Sequence, residues 1–172
     1  MRRILIGLAL VLVALPAWAQ TQEQIDWCNS PTATDDQTIE GCTAQIQSGQ
    51  QTTNNLTVEY NNRGFAYFNK GQYDQAMADF NTAIGLNPNN FRSYTNRGAV
   101  YFHQGLYDQA IAEDNKAIAL QPDFADAYFN RGGVYEKQGQ RDQAITDYLT
   151  SLRLNPGDDD TINALKRLGV TP

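Results

Sequence analysis

The stretch NRGFAYFNKGQYDQA, residues 62–76, places two glycines, one arginine and four aromatic rings within fifteen positions. Glycines at that density would suit a phosphate-cradling loop, yet no strand-like run precedes them and no Gly-Lys-Ser or Gly-Lys-Thr follows. The rest of the chain supplies the other reading. Gly64, Gly98 and Gly132 are 34 residues apart, as are Tyr67, Tyr101 and Tyr135, and Gly71, Gly105 and Gly139. Asp-Gln-Ala recurs at 74–76, 108–110 and 142–144, and proline at Pro88, Pro122 and Pro156. Motifs that share one interval mark the stretch as part of a structural repeat.

A period of 34 residues with this content resembles the tetratricopeptide repeat, a helix-turn-helix unit. Its pattern is an aromatic, Leu-Gly three residues on, a Tyr, then Ala with Phe four residues later, then Pro. The first unit supplies Tyr60, Arg63-Gly64, Tyr67, Ala76, Phe80 and Pro88; the second and third run from Tyr94 to Pro122 and from Tyr128 to Pro156. Tyrosine stands for the tryptophan and arginine for the leucine in all three. The resemblance implies an all-α fold, a right-handed α-solenoid of antiparallel helix pairs with units at 57–90, 91–124 and 125–158.

The residues support this on their own terms. Gly64 and Ala76 are equidistant from Lys70, so a helix pair turning at Lys70-Gly71-Gln72 brings two small residues face to face. Tyr67 and Tyr73, the next symmetric pair, are expected to form an aromatic clasp. Gly71 supplies the left-handed conformation that ends the first helix, and Asp74 places negative charge in the first turn of the second. Pro88 stops that helix, because the residue before a proline is pushed out of the helical region. The predicted helices are 59–70, 73–86, 93–104, 107–120, 127–138 and 141–154.

One helix pair cannot bury its apolar face, so units stack and both ends need covers. At the C-terminal end, within 159–172, Asp160 is expected to cap a helix with Ile162, Leu165 and Leu168 on one stripe. At the N-terminal end, residues 35–46, DDQTIEGCTAQI, align with YDQAMADFNTAI at 73–84. Cys42 then falls where Phe80 packs, and Ile46 where Ile84 does. Residues 20–56 read as a degenerate helix pair whose first helix, about 22–29, is short. Cys28 precedes Cys42 by 14 residues, a spacing that bridges such a pair; the disulfide would stabilise by about 3 kcal/mol in the chain-entropy view.

The first residues have a different character. Arg2 and Arg3 precede an apolar run from Ile4 to Leu15, Pro16 breaks it, and Ala17-Trp18-Ala19 has the small-x-small form of a signal-peptidase site. Residues 1–19 are therefore expected to be a cleaved secretory signal, which places the protein in the bacterial periplasm, with the extracellular space as the alternative. No membrane insertion is expected after cleavage. Two cysteines in an exported chain agree with a disulfide. Loss of two arginines from 13 basic and 19 acidic residues leaves 11 against 19, a formal charge of minus 8. Phosphate backbones repel such a chain, so nucleic acid is excluded as a partner class.

No catalytic, metal or cofactor constellation emerges. His103 is the single histidine, with no second imidazole or spare thiol to join it. Asp158-Asp159-Asp160 lacks the alternating acids and central glycine of a calcium loop. The chain is expected to be no enzyme and to need no cofactor.

The resemblance implies that the first helices line a concave groove for an extended peptide or another protein's helix. In the first unit the lining comprises Val58, Asn61, Asn62, Phe65, Phe68 and Asn69. In the second it comprises Arg92, Thr95, Asn96, Ala99, Phe102 and His103, and in the third Asp126, Phe129, Asn130, Gly133 and Glu136. Asn62, Asn96 and Asn130 recur before the Arg-Gly pairs and are open to two readings, hydrogen bonding to a bound peptide or simple repeat pattern. Some members of the family grip a C-terminal carboxylate with a lysine and an asparagine on the first helix. Asn61 and Phe65 stand at those positions here, so chaperone tails are disfavoured. Phe65, Phe68, Phe102 and Phe129 form either an exposed apolar strip that calls for a partner or a strip half-covered by neighbouring units.

Asp114 departs most from the pattern, occupying the slot of Phe80 and Tyr148. An unpaired buried carboxylate is costly, so Asp114 is expected either to pair with Arg131 or a hydroxyl of Tyr101 or Tyr135, or to stay hydrated. The function expected is a non-catalytic scaffold binding an unidentified protein or peptide. The alternatives are a self-associating structural envelope protein and an accessory subunit of an envelope enzyme or secretion complex.

Overall fold

A computed structural model describes residues 26–171. The expected signal segment and the start of the expected short first helix lie outside them. The described chain is all-helical: a single 3-10 turn, Trp27–Asn29, then eight α-helices. They are α1 (Asp35–Ser48), α2 (Thr53–Asn69), α3 (Tyr73–Leu86), α4 (Phe91–His103), α5 (Tyr107–Leu120), α6 (Ala125–Lys137), α7 (Arg141–Leu154) and α8 (Asp159–Arg167). The three pairs α2–α3, α4–α5 and α6–α7 pack internally, and each stacks on the next. The first helices α2, α4 and α6 also touch in succession and so share one side of the solenoid.

The pairs turn as the glycines require. Gly71, Gly105 and Gly139 have φ of 70°, 74° and 74°, a region in which residues with a Cβ are strained. Each turn is closed by the same backbone bonds, Gln72 N–H donating to Tyr67 O at 2.9 Å, with Leu106 and Gln140 doing likewise to Tyr101 and Tyr135. The tyrosines that replace the repeat's tryptophan tie the next connection down: Tyr94 Oη donates to Pro88 O at 3.2 Å and Tyr128 Oη to Pro122 O at 3.1 Å.

Three local expectations change. Helix α2 starts at Thr53 instead of 59, because Thr52 accepts from Asn55 N–H and caps an extra turn and a half. The cap of α8 is Asp158, which accepts from Thr161 N–H, and Asp160 lies inside the helix. The aromatic clasp at the turn joins Phe68 to Tyr73, with centroids 5.8 Å apart, instead of Tyr67 to Tyr73; Phe102 and Tyr107 repeat it. Helix α8 buries Thr161, Ala164 and Leu165, so of the expected stripe Leu165 is buried while Ile162 and Leu168 are half-buried.

At the other end, Cys28 in the 3-10 turn is bonded to Cys42 of α1, and both are buried. Asn62 Nδ2 donates to Cys28 O at 3.0 Å and to Asn29 Oδ1 at 3.1 Å, which seats the turn against α2.

The glycines of the first helices set how closely each pair approaches. A Cβ on Gly64 would lie 2.8 Å from a ring carbon of Phe80, and one on Gly132 would lie 3.0 Å from the Tyr148 ring. At Gly98 the nearest atom would be Glu113 Cβ at 3.3 Å, since Asp114 has no ring. Alanine gains about 1 kcal/mol over glycine in a helix interior, while overpacking costs about 1–3 kcal/mol. Gly64→Ala is therefore expected to destabilise clearly and Gly98→Ala to be close to neutral; chemical denaturation of the two variants checks the order.

Candidate functional site

The concave side of α2, α4 and α6 carries a groove of about 620 Å³. It brings together Phe65, Phe68, Thr95, Asn96, Ala99, Phe102, His103, Asp126, Phe129, Asn130, Gly133 and Glu136, as the sequence places them. It does not include Val58, Asn61, Asn62, Asn69 or Arg92.

Each of the latter four polar residues has a structural partner. Asn62 holds the 3-10 turn, as above. Asn69 Nδ2 donates to Asp35 Oδ1 at 3.0 Å. Asn61 is buried, and its Oδ1 accepts from Ser93 Oγ and Asn96 Nδ2, both at 3.0 Å. The Arg92 guanidinium lies over the Phe91 and Phe124 rings, 5.4 Å from each centroid. Asn96 thus joins adjacent units, which favours the repeat reading at that position, and Asn130 faces the groove.

The phenylalanine strip divides. Phe65 is 47 % exposed, whereas Phe68, Phe102 and Phe129 are half-buried. His103 sits among them, 5.2 Å from Phe68, 5.5 Å from Tyr73 and 5.6 Å from Phe102 by ring centroids. The imidazole thereby joins the aromatic rings of the first two units into one wall. Farther along, Tyr148 Oη donates to Glu136 Oε2 at 2.8 Å, and Arg167 closes the same carboxylate with two 2.8 Å bonds. Arg167, with the Tyr148 hydroxyl, holds the Glu136 carboxyl below its ordinary range against the opposing effect of burial.

Sequence reasoning missed the arginine forks. Arg63 donates to both Asp79 oxygens at 2.8 Å, Arg97 to Glu113 at 2.7 and 2.9 Å, and Arg131 to Asp147 at 2.7 Å twice. A third N–H of each reaches back one layer, to Thr43, Asn81 and Asn115. The signal was present: each arginine is followed sixteen residues later by an acid.

These forks overturn the expected pairing of Asp114 with Arg131. Asp114 is fully buried, and neither of its carboxylate oxygens has a hydrogen-bond partner. No tyrosine hydroxyl reaches it, and with no exposed surface it is not a hydrated side chain either. Burial drives its carboxyl well above the usual carboxylate range; the Arg131 charge opposes this, and Glu113 and Asp147 reinforce it. Asp114 belongs to neither of the buried apolar clusters, Ala76, Phe80 and Val100 in one and Ala144, Tyr148, Ala164 and Leu165 in the other. Among the described residues no group of His, Cys, Asp and Glu could hold a metal ion, and no helix is long and apolar enough to cross a membrane.

Family profiles described as TPR repeat match residues 64–105 and 100–139, and one described as tetratricopeptide repeat matches 125–158. Together they run unbroken from 64 to 158, more than half of the chain. The chain belongs to the tetratricopeptide-repeat family. Among solved structures, it is similar to the first TPR of Spaghetti (RPAP3) bound to HSP90 peptide SRMEEVD, with 27 % identity and a TM-score of 0.63, covering 67 % of this chain and 91 % of that one. The Arabidopsis OM64 TPR domain gives 26 % identity and a TM-score of 0.65 over 69 % of this chain and 98 % of that one. The first TPR domain of human RPAP3 gives 27 % and 0.64 over 66 % and 90 %. No curated protein matches significantly.

Because the Asp114 carboxyl is raised in the folded repeat, the native state holds its proton more tightly than the unfolded chain does. The stability this group contributes is full below about pH 4, the ordinary aspartate range, and is lost as pH rises toward the folded value. Asp114→Asn is expected to gain on the wild type as pH is raised from about 4 toward neutral, until the folded value is passed. Asp114→Phe, which restores the ring of Phe80, should be more stable at neutral pH by about 1–3 kcal/mol. Thermal melts across that pH range check both, and a gap that does not widen with pH contradicts the assignment.

Proposed function

We propose that the protein is a non-catalytic, exported scaffold of the bacterial envelope that binds an extended peptide or protein segment in the groove of its tetratricopeptide repeats. The observation that carries this reading is the groove itself, whose aromatic wall comes from all three first helices at once. An extended segment is the shape that contacts three successive units. The similar repeat of Spaghetti (RPAP3) is bound to a peptide, which supports occupancy of the same kind here. That peptide, SRMEEVD, ends in acids. At the positions where some relatives place a carboxylate-gripping pair, Asn61 is buried beneath Ser93 and Asn96, and Phe65 is apolar. An acidic tail is therefore a poor occupant of this groove.

Export to the periplasm is supported by the basic, apolar and small-residue order of residues 1–19 and by the Cys28–Cys42 bond, which suits an oxidising compartment. If that reading is right, the protein recovered from its native cell comes from the periplasmic fraction with Gln20 at its N-terminus. Intact mass and fractionation check this, and a cytoplasmic chain of full mass contradicts it.

Phe65 and Phe102 stand on α2 and α4 along the groove. Phe65→Ser with Phe102→Ser is expected to reduce partner capture at least about tenfold, on the scale of aromatic hot spots. Cross-linking in the native envelope and affinity capture measure this, with circular dichroism confirming the fold. Capture that survives both changes removes the groove from the function, and a partner that proves to be the chain itself makes it a structural oligomer.

A further inference from the structure

The middle unit lacks the aromatic ring that both neighbours place between their helices. Phe80 fills the slot beside Gly64 and Tyr148 the slot beside Gly132, while Asp114 leaves the slot beside Gly98 without a ring. Asp114 Oδ1 lies 3.4 Å from where a Cβ on Gly98 would stand. One helical turn earlier on α4 is Thr95, also buried, whose Oγ1 has no hydrogen-bond partner either. The groove touches Thr95, Gly98 and Asp114 alike. Three unpartnered oxygens, two from a carboxylate and one from a hydroxyl, thus belong to residues that line one groove, each lying just beneath its surface.

Among the described residues nothing is placed to satisfy them. Arg131, the cation whose charge acts on Asp114, directs its hydrogen bonds to Asp147 and Asn115. Arg167 is bound to Glu136, and Arg97 to Glu113 and Asn81 through its two Nη groups, its buried Nε making no bond to Asp114 or to any other group. The groove as a whole leans negative: with Glu136 and Arg167 paired, Asp114, Asp126, Asp158 and Asp160 face Lys137 as the remaining cation, with His103 alongside. The walls above the floor include Phe102 and Phe129. Aromatic faces attract cations and accommodate an alkyl stem.

We propose that the floor at Asp114 is a specificity pocket for a lysine side chain of the bound segment. This rests on the peptide-binding reading above and names the residue that the peptide must carry. An ammonium group offers three N–H donors on a slim, flexible stem, matching the two Asp114 oxygens and Thr95 Oγ1. A guanidinium is a broad planar fork, suited to a carboxylate presented edge-on at a surface, and fits a recessed floor less well. A buried ion pair formed this way contributes discrimination more than affinity, because desolvation offsets much of the attraction. An acidic or apolar side chain in the same place would leave all three oxygens unsatisfied. A buried carboxylate with neither oxygen bonded is a costly group to keep, and such a cost is what a binding residue imposes when its partner comes from outside the chain.

A random peptide library displayed against the purified protein tests this, with the same library run against Asp114→Asn, Thr95→Val and the Phe65→Ser, Phe102→Ser pair. Binders to the wild type are expected to share lysine at one position. Fluorescence anisotropy should show them losing at least about tenfold in affinity when that lysine becomes norleucine, and losing the preference on Asp114→Asn and, in part, on Thr95→Val. Thermal melts confirm that both variants fold. Binders that share an apolar, arginine or acidic residue instead, or a lysine preference that survives Asp114→Asn, overturn the pocket and leave the groove. Enrichment no greater than on the Phe65→Ser, Phe102→Ser protein overturns both.

Discussion

The structure depends on one ion pair made three times, an arginine in the first helix of each pair bound to both oxygens of a carboxylate of the second, by Nε and Nη2 together at Arg63 and Arg131 and by Nη2 alone at Arg97. Arg63, Arg97 and Arg131 each use two bonds within their unit and a third to the unit before, so one side chain fixes both the pair and the stack. The guanidinium groups also lie over tyrosines, Arg63 5.3 Å from the Tyr60 centroid and Arg131 5.5 Å from that of Tyr128. A leucine at this position would bind by area alone and tolerate sliding. A bidentate fork does not, because both partners are largely removed from water and a misplaced charge would lose its hydrogen bonds without regaining solvent. The geometry of the groove follows, since the rotation of α2, α4 and α6 is set from their far sides.

Against that frame, Asp114 is a local conflict between layers that otherwise agree. The forks consume the arginine that could have neutralised it, and the flanking rings of Phe80 and Tyr148 fill only their own slots. The result is a polar, unpaired side chain in the middle unit, in the lining of the groove, with the buried apolar clusters of the two ends to either side of it in the chain. Places where local rules fail in an otherwise consistent fold are where function is expected to lie.

Much of the fold was legible because it is periodic. The turns, the small faces at Gly64, Gly98 and Gly132, and the capping stripe of α8 are each set by residues within one repeat length. The misses have a common cause. The clasp went to Phe68 instead of Tyr67 because adjacent residues on a helix point about 100° apart, and symmetry about the turn does not specify that angle. Asn62 left the groove because the 3-10 turn, held by the Cys28–Cys42 bond, came to rest on it. Asp158 took the cap from Asp160 because the left-handed turn at Gly157, φ 91°, ends one residue before it.

What the sequence determined by itself is the repeating unit and its number, since a 34-residue interval in glycine, tyrosine and proline encodes helix lengths and turns through local backbone preferences. Which helices line the groove was implied by the resemblance to the repeat family. Only the tertiary structure decided which of the polar residues remain available there. Arg131 has two candidate acids within reach and bonds one of them, Asn96 bonds across units, and Asp114 is left with neither oxygen satisfied. Such choices rest on side-chain directions in three dimensions and on competition for a limited set of donors, and neither is written in the spacing of residues along the chain.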